Sequence, residues 1–117
     1  MKTKIFKFIL LFTLLGCDTI ASLRQEPRQP QETTLASLSA YEDKLASYVM
    51  YLQTWLVRTK QKVKDKDYPK FEFFDTTTLK YEHTLKALKD NIAKYKTYIL
   101  YVKPIATAVY NKYSKAL

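Results

Sequence analysis

The sequence predicts an all-α protein: an antiparallel helical hairpin of two long helices, with a kinked or separate short C-terminal helix after Pro104. Three observations predict it. Two stretches place bulky residues at alternating steps of three and four, the seam of one helix packed on another. Gly16 is the only glycine in the chain, so left-handed backbone is hard to reach. Tight hairpin turns, phosphate-cradling loops and multi-strand folds are disfavoured accordingly. Finally, a connection of about eight residues near Pro69 joins two segments of one period, the pattern of antiparallel neighbours.

The chain begins with Lys2, Lys4 and Lys7, followed by an apolar run from Phe8 to Leu15 broken only by Thr13. A basic start, a short apolar run and a small residue make a secretory signal over residues 1–16. The run is far below the ~20 residues that span a bilayer as a helix. Leu14-Leu15-Gly16-Cys17 resembles the lipobox of bacterial lipoproteins. That resemblance implies cleavage before Cys17, a diacylglyceryl group on its sulfur and an acylated amine. Cleavage leaves 117 − 16 = 101 residues, one small domain at most. Cys17 is the only cysteine, so lipidation leaves no disulfide and no thiol chemistry. Residues 17–33 are expected to be the lipidated cysteine and a flexible tether, rich in Gln, poor in apolar residues and interrupted by Pro27 and Pro30.

The helical domain is expected over 34–117. Its first helix starts between Thr34 and Ser39 and ends near Lys66. Ser39 and Glu42 have capping-box spacing, and Thr34 or Ser37 could cap an earlier start. Leu38, Tyr41, Leu45, Tyr48, Leu52 and Trp55 form its seam, widened by Val49, Leu56 and Val63. Pro69 forces Tyr68 towards extended backbone. Asp75 before three threonines signals the second helix, with Tyr81, Leu85, Leu88, Ile92, Tyr95, Ile99 and Val102 as its seam. The phase continues through Ala106, Val109 and Tyr113. A hairpin register places Leu52 near Leu88 or Ile92 and Leu45 near Ile99. Residues 48–52 and 98–102 are apolar around most of the circumference. A third helix folding back, or a partner chain such as a second copy, would cover them. No internal repeat is visible.

The full chain has 20 basic and 11 acidic side chains. Without the three signal lysines the balance is 17 − 11 = +6, attractive to acidic polymers, anionic lipid headgroups and acidic proteins. Export argues against nucleic acid. Arg58, Lys60, Lys62, Lys64, Lys66 and Lys70 form a basic run, and Phe71, Phe73 and Phe74 follow in the connection. Together they are the candidate partner-binding residues, for a protein or an acidic glycan, on a tip held away from lipid. Their plainer roles are compensation of a helix end and an apolar plug for the hairpin. His83, the only histidine, is offset from the seam and reads as solvated. No metal cluster, no cofactor and no catalytic constellation is expected. The carboxylates near the connection have no obvious cleft to work across.

Leu14 at the third place before Cys17, the Lys-rich start and the tyrosine- and lysine-rich helical ectodomain resemble small plasmid-encoded lipoproteins of Borrelia. The closest resemblance is to the Borrelia orf-D family. It implies a surface or periplasmic lipoprotein of a host-associated spirochaete without known enzymatic activity, and it carries over one functional residue, Cys17. The expected function is a membrane-anchored, non-enzymatic binding module for a host or environmental macromolecule, with the outer surface favoured over the periplasm. Alternatives are a periplasmic assembly lipoprotein docking on an envelope protein, and a phage- or plasmid-borne exclusion or immunity lipoprotein.

Overall fold

Two helices of 29 residues each, α1 (Leu35–Val63) and α2 (Leu85–Tyr113), make up most of the fold. The structure is a computed structural model that describes residues 20–115; the expected export signal over 1–16 and Cys17 lie outside the described residues. Among the described residues there is no strand, and one short 3-10 turn, Thr76–Thr78, precedes α2.

Each helix starts on a threonine. Thr34 Oγ1 accepts from the Ser37 N–H at 3.1 Å, and Ser37 Oγ accepts from the Thr34 N–H at 3.1 Å. This reciprocal box at the earlier of the expected starts satisfies two otherwise free amides. α1 ends at Val63, before the expected Lys66. Lys64 there turns left-handed (φ 51°) and donates its N–H to the Lys60 carbonyl. A residue with a Cβ pays about 1–2 kcal/mol for that conformation, and the chain beyond Gly16 offers no glycine to avoid it. α2 starts at Thr84, which accepts from the Ala87 N–H at 3.2 Å. The expected start at Asp75 is therefore corrected. Asp75 caps only the 3-10 turn, where Thr78 Oγ1 bonds back to the Asp75 carbonyl. Tyr81, expected in the seam, is consequently 88% exposed. α2 runs through Pro104 as one helix, so no separate C-terminal helix forms. Pro104 removes the N–H that the Leu100 carbonyl would accept. Both residues are exposed, so water can serve that carbonyl.

The two long helices pack on each other, but in parallel, which corrects the antiparallel hairpin. Asn91 Nδ2 donates to Glu42 Oε2 at 2.8 Å, joining early turns of both helices. At the other end, the hydroxyl of Tyr113, the last residue of α2, donates to Asp65 Oδ2 at 2.7 Å, two residues past α1. The physical reason is the length of the connection. Residues 64–84 lie outside the long helices. At about 3.3 Å per residue they outreach a ~43 Å helix, so the chain returns to the starting end before α2 begins. The expected register fails with the direction. Leu52 comes level with about Val102, and Leu45 with about Tyr95. The seam is as expected from Leu38 in α1 and from Leu88 in α2, with Leu45, Leu52, Leu56, Ile99, Val102 and Val109 fully buried in the core, but Leu85, at the first turn of α2, is exposed like Tyr81.

Two extended straps complete the molecule. The first, residues 20–33, was expected to be a flexible tether, but it packs against the helices from Ile20, which is 7% exposed. The second is the connection 64–84. Both run against the helix direction. The first touches Tyr48, Tyr51 and Trp55 on α1 and Lys96 and Lys103 on α2. The second touches Gln53 and Leu56 on α1 and Asn91, Tyr98 and Tyr101 on α2. At 100° per residue these sets fall on opposite sides of the helix contact. The straps thus cover part of the apolar circumferences that a bare helix pair leaves open, and leave Met50 and Leu100 exposed.

Candidate functional site

The straps are held largely by tyrosine hydroxyls, which accounts for much of the tyrosine content. The Tyr48 hydroxyl donates to the Arg24 carbonyl at 3.0 Å, and the Arg24 N–H donates to the Tyr51 hydroxyl at 2.9 Å. The Tyr98 hydroxyl donates to the Glu72 carbonyl at 2.6 Å, and the Glu72 N–H donates to the Tyr101 hydroxyl at 3.0 Å. Each i, i+3 tyrosine pair therefore grips both backbone groups of one strap residue, as a neighbouring strand would. Trp55 Nε1 donates to the Ala21 carbonyl at 2.9 Å. Burial pushes the Tyr98 hydroxyl up to about 12, with Tyr101 adding. Tyr68, whose hydroxyl donates to the Leu56 carbonyl at 2.7 Å, is likewise raised to about 12, by burial first and then by Tyr113.

Two buried amides do related work, and sequence reasoning missed both. Asn91 Oδ1 accepts from the Lys80 N–H at 2.9 Å, while its Nδ2 donates to the Lys80 carbonyl at 2.8 Å as well as to Glu42. Gln53 Oε1 accepts from the Phe74 N–H at 2.6 Å. The only available signal was an amide facing inward beside an apolar seam, where an unpaired polar group is costly.

The first strap, by folding back along α1, changes where the candidate tip lies relative to Cys17. Arg58, Lys60, Lys62, Lys64, Lys66 and Lys70 are all exposed, but they sit where both helices end. The first strap arrives at that same end: Ala21 borders a groove with Arg58, Thr59 and Lys62. The basic run therefore lies beside the start of the described strap, where Ile20 is three residues from Cys17, and not at the far end. Asp65 closes this end. Its carboxyl is held below the usual range, first by the Asp67 N–H, then by the Tyr113 hydroxyl, with Lys112 adding charge. Phe74 leaves the basic end with the returning strap. Phe74 is half-buried, its ring stacked on Tyr95 at 4.8 Å and edge-on to Tyr98 at 5.5 Å. Phe71 is half-buried and Phe73 is 63% exposed, the two rings in contact at 5.2 Å. Phe71 and Phe73 stay beside two of the cations, lining one groove with Lys60 and Lys70.

A different surface stands out on α2. Ala93, Thr97, Leu100, Pro104, Thr107 and Ala108 are exposed along one face and include no charged side chain. Leu100 at its middle is 78% exposed. On one flank lies a groove of about 480 Å³ lined by Phe73, Phe74, Thr97, Tyr98 and Tyr101. On the other flank Lys103 is tied to Glu26 at 3.4 Å. His83 is exposed, and among the described residues no three His, Cys, Asp or Glu side chains are placed to hold a metal ion. No described helix is long and apolar enough to cross a membrane.

Comparison with known proteins agrees with this architecture in extent. The sequence profile of the Borrelia orf-D family matches residues 22–115, from the first strap to the end of α2. The chain is also similar to the outer membrane lipoprotein BBA14 of Borreliella burgdorferi. The two are 55% identical over 118 aligned positions, covering 98% of each.

Proposed function

The chain belongs to the Borrelia orf-D family, and from that membership we propose that it works as an outer-membrane lipoprotein anchored through Cys17. Its helical domain is a non-enzymatic binding module, displayed at the outer surface, for a host or environmental macromolecule. The relative's designation as an outer membrane lipoprotein supports the location, and the Leu-Leu-Gly-Cys pattern supports the anchor. The observation that carries the binding role is the uncharged outer face of α2 around Leu100. Aromatic and aliphatic side chains dominate interface energetics, and a helix face this long without a charge is unusual on a solvated surface.

The anchor and the display are tested separately. Cys17→Ser should leave the detergent phase on partitioning and escape processing; continued partitioning and processing would remove the anchor. Protease added to intact cells should degrade the domain. Survival until the outer membrane is breached would place it in the periplasm and remove the display. Once a ligand is in hand, Leu100→Asp should weaken its binding at least tenfold with unchanged helicity, since a charge in an apolar contact is left desolvated.

A further inference from the structure

The described residues are charged very unevenly. Residues 58–70 and 112–115, where both helices end, carry eight cations against Asp65 and Asp67, a net of +6. All eight cations are exposed, and Asp65 is already engaged by Tyr113 and Lys112. The remaining described residues carry nine cations against eight carboxylates, a net of +1. Compensation of the helix dipoles does not explain the excess. Two parallel helices present about −0.5 charge each at this end, enough to offset roughly one of the six.

The first strap reaches the same end. The Ala21 carbonyl is bonded to Trp55, and Ala21 borders Arg58 and Lys62. Cys17 is three residues before Ile20, within about 10 Å of it even when fully extended. That reach matches the roughly 10 Å over which charge acts at 0.1 M salt. We propose that this basic end is a second, electrostatic membrane contact that seats on anionic phospholipid headgroups beside the acyl anchor. The placement of the end near lipid rests on Cys17 as the acylated residue; its charge does not. The acyl chains expected on Cys17 hold the chain to lipid, and a basic patch beside them adds an electrostatic contact that sets how the domain sits on the headgroups. With this end seated, the Thr34 and Thr84 ends of the helices point away from lipid and the Leu100 face looks sideways, open to a partner.

The test uses the chain from residue 17 onward, which contains every described contact, with Cys17→Ser so that no acyl group contributes. It should co-sediment with vesicles of phosphatidylglycerol and phosphatidylcholine in 50 mM salt, and not with phosphatidylcholine alone. Binding should fall at least tenfold between 50 and 300 mM salt, because each neutralised headgroup contact is screened. Each cation near an anionic surface is worth about fivefold in binding. Replacing Arg58, Lys60, Lys66 and Lys70 by Gln should therefore weaken binding more than tenfold. Replacing Lys44, Lys86 and Lys89, at the opposite end, should leave it within about twofold. Absence of binding to the anionic vesicles, or equal loss in both variants, overturns the proposal. So does binding of a soluble sulfated polysaccharide through the same four cations without binding to vesicles, which would make this end a glycan site. None of these outcomes depends on whether Cys17 is acylated in the cell.

Discussion

Tyr48 and Tyr51 grip Arg24, and Tyr98 and Tyr101 grip Glu72 in the same way. The two pairs occupy the fourteenth and seventeenth positions of two helices of equal length, each started by a threonine cap. The chain is therefore one strap-and-helix unit built twice, laid side by side in parallel. The units differ in what they supply. Among the fully buried side chains, α1 gives Leu45, Leu52, Leu56 and Val49, where α2 gives Ile99 with the smaller Val102, Ala106 and Val109. The first strap is pinned by Trp55 and by links to α2, Glu26 with Lys103 and Gln29 with Lys96. The second is pinned by buried amides and by the Phe74 ring. α1 acts as the supporting half and α2 as the presenting half, with the uncharged outer face. Sharing a plan does not require sharing the burden of stability.

The division of burden can be broken most directly in the core. Leu52→Ala should cost about 2–5 kcal/mol, the range for a fully buried leucine that leaves a cavity. Val102→Ala, on the facing helix, removes two carbons where Leu52→Ala removes three and should cost about 2 kcal/mol or less. Urea denaturation of the two variants measures both. Equal costs would mean that the halves contribute alike and that α1 is not the support.

A second comparison sharpens how the straps are held. Asn91→Ala strips the Lys80 backbone of both its partners and leaves Glu42 without one. About 2 kcal/mol is expected, since buried groups lose hydrogen bonds. Amide hydrogen exchange should quicken at Lys80 and its neighbours before it does in either helix. The first strap has no amide of this kind; Trp55→Phe there removes one hydrogen bond and should cost about 1 kcal/mol. If Asn91→Ala proves as mild as Trp55→Phe, the second strap is held by its rings instead.

The helical content was legible in the sequence because a buried stripe imposes its own period. Every α1 seam residue from Leu38 to Trp55 is buried, as is the α2 series from Leu88 to Tyr113. Direction was not legible. Period identifies the buried face but has no sign along the axis, so only the connection could decide it. Asp75 and the threonines looked like a helix start and shortened the apparent connection to hairpin length. The straps were illegible for a related reason. Residues 20–33 have too few apolar side chains to signal burial; their backbone groups make the contacts, and the signal sits on the helices as tyrosines and amides. The repeat was hidden too. Between Thr34–Val63 and Thr84–Tyr113 only seven of thirty aligned positions are identical, and two of those are the tyrosine grips. The position of the basic run relative to Cys17 was reversed because the strap expected to be a tether folds back along α1.

The smallest expected difference separates the two tyrosine grips, and pH reveals it. Burial raises the Tyr98 hydroxyl to about 12, with Tyr101 second. Tyr48 is raised as well, by burial first, then by Glu26 and Tyr51. A hydroxyl whose folded value lies above its ordinary value of 10 favours the folded state fully below pH 10. That contribution is lost as pH rises through the folded value, because the unfolded chain releases the proton first. Stability should therefore decline from about pH 10 to about pH 12. At pH 7, Tyr48→Phe and Tyr98→Phe should each cost about 0.5–1.5 kcal/mol for the lost bond to a strap carbonyl. Between pH 10 and 12 the Tyr98→Phe chain should approach the parent in stability, because it no longer has that proton to lose. Tyr68 has the same alkaline shift and continues to act in both variants, so the decline should flatten rather than vanish. An undiminished decline in Tyr98→Phe would show that its hydroxyl is not the group gripping Glu72. Hydrogen exchange then distinguishes the halves: Tyr48→Phe should free the backbone around Arg24, and Tyr98→Phe the backbone around Glu72. Loosening around Arg24 also lengthens the free chain between Cys17 and the domain. It should weaken the seating of the basic end on anionic vesicles only if the first strap is what holds that end close to lipid.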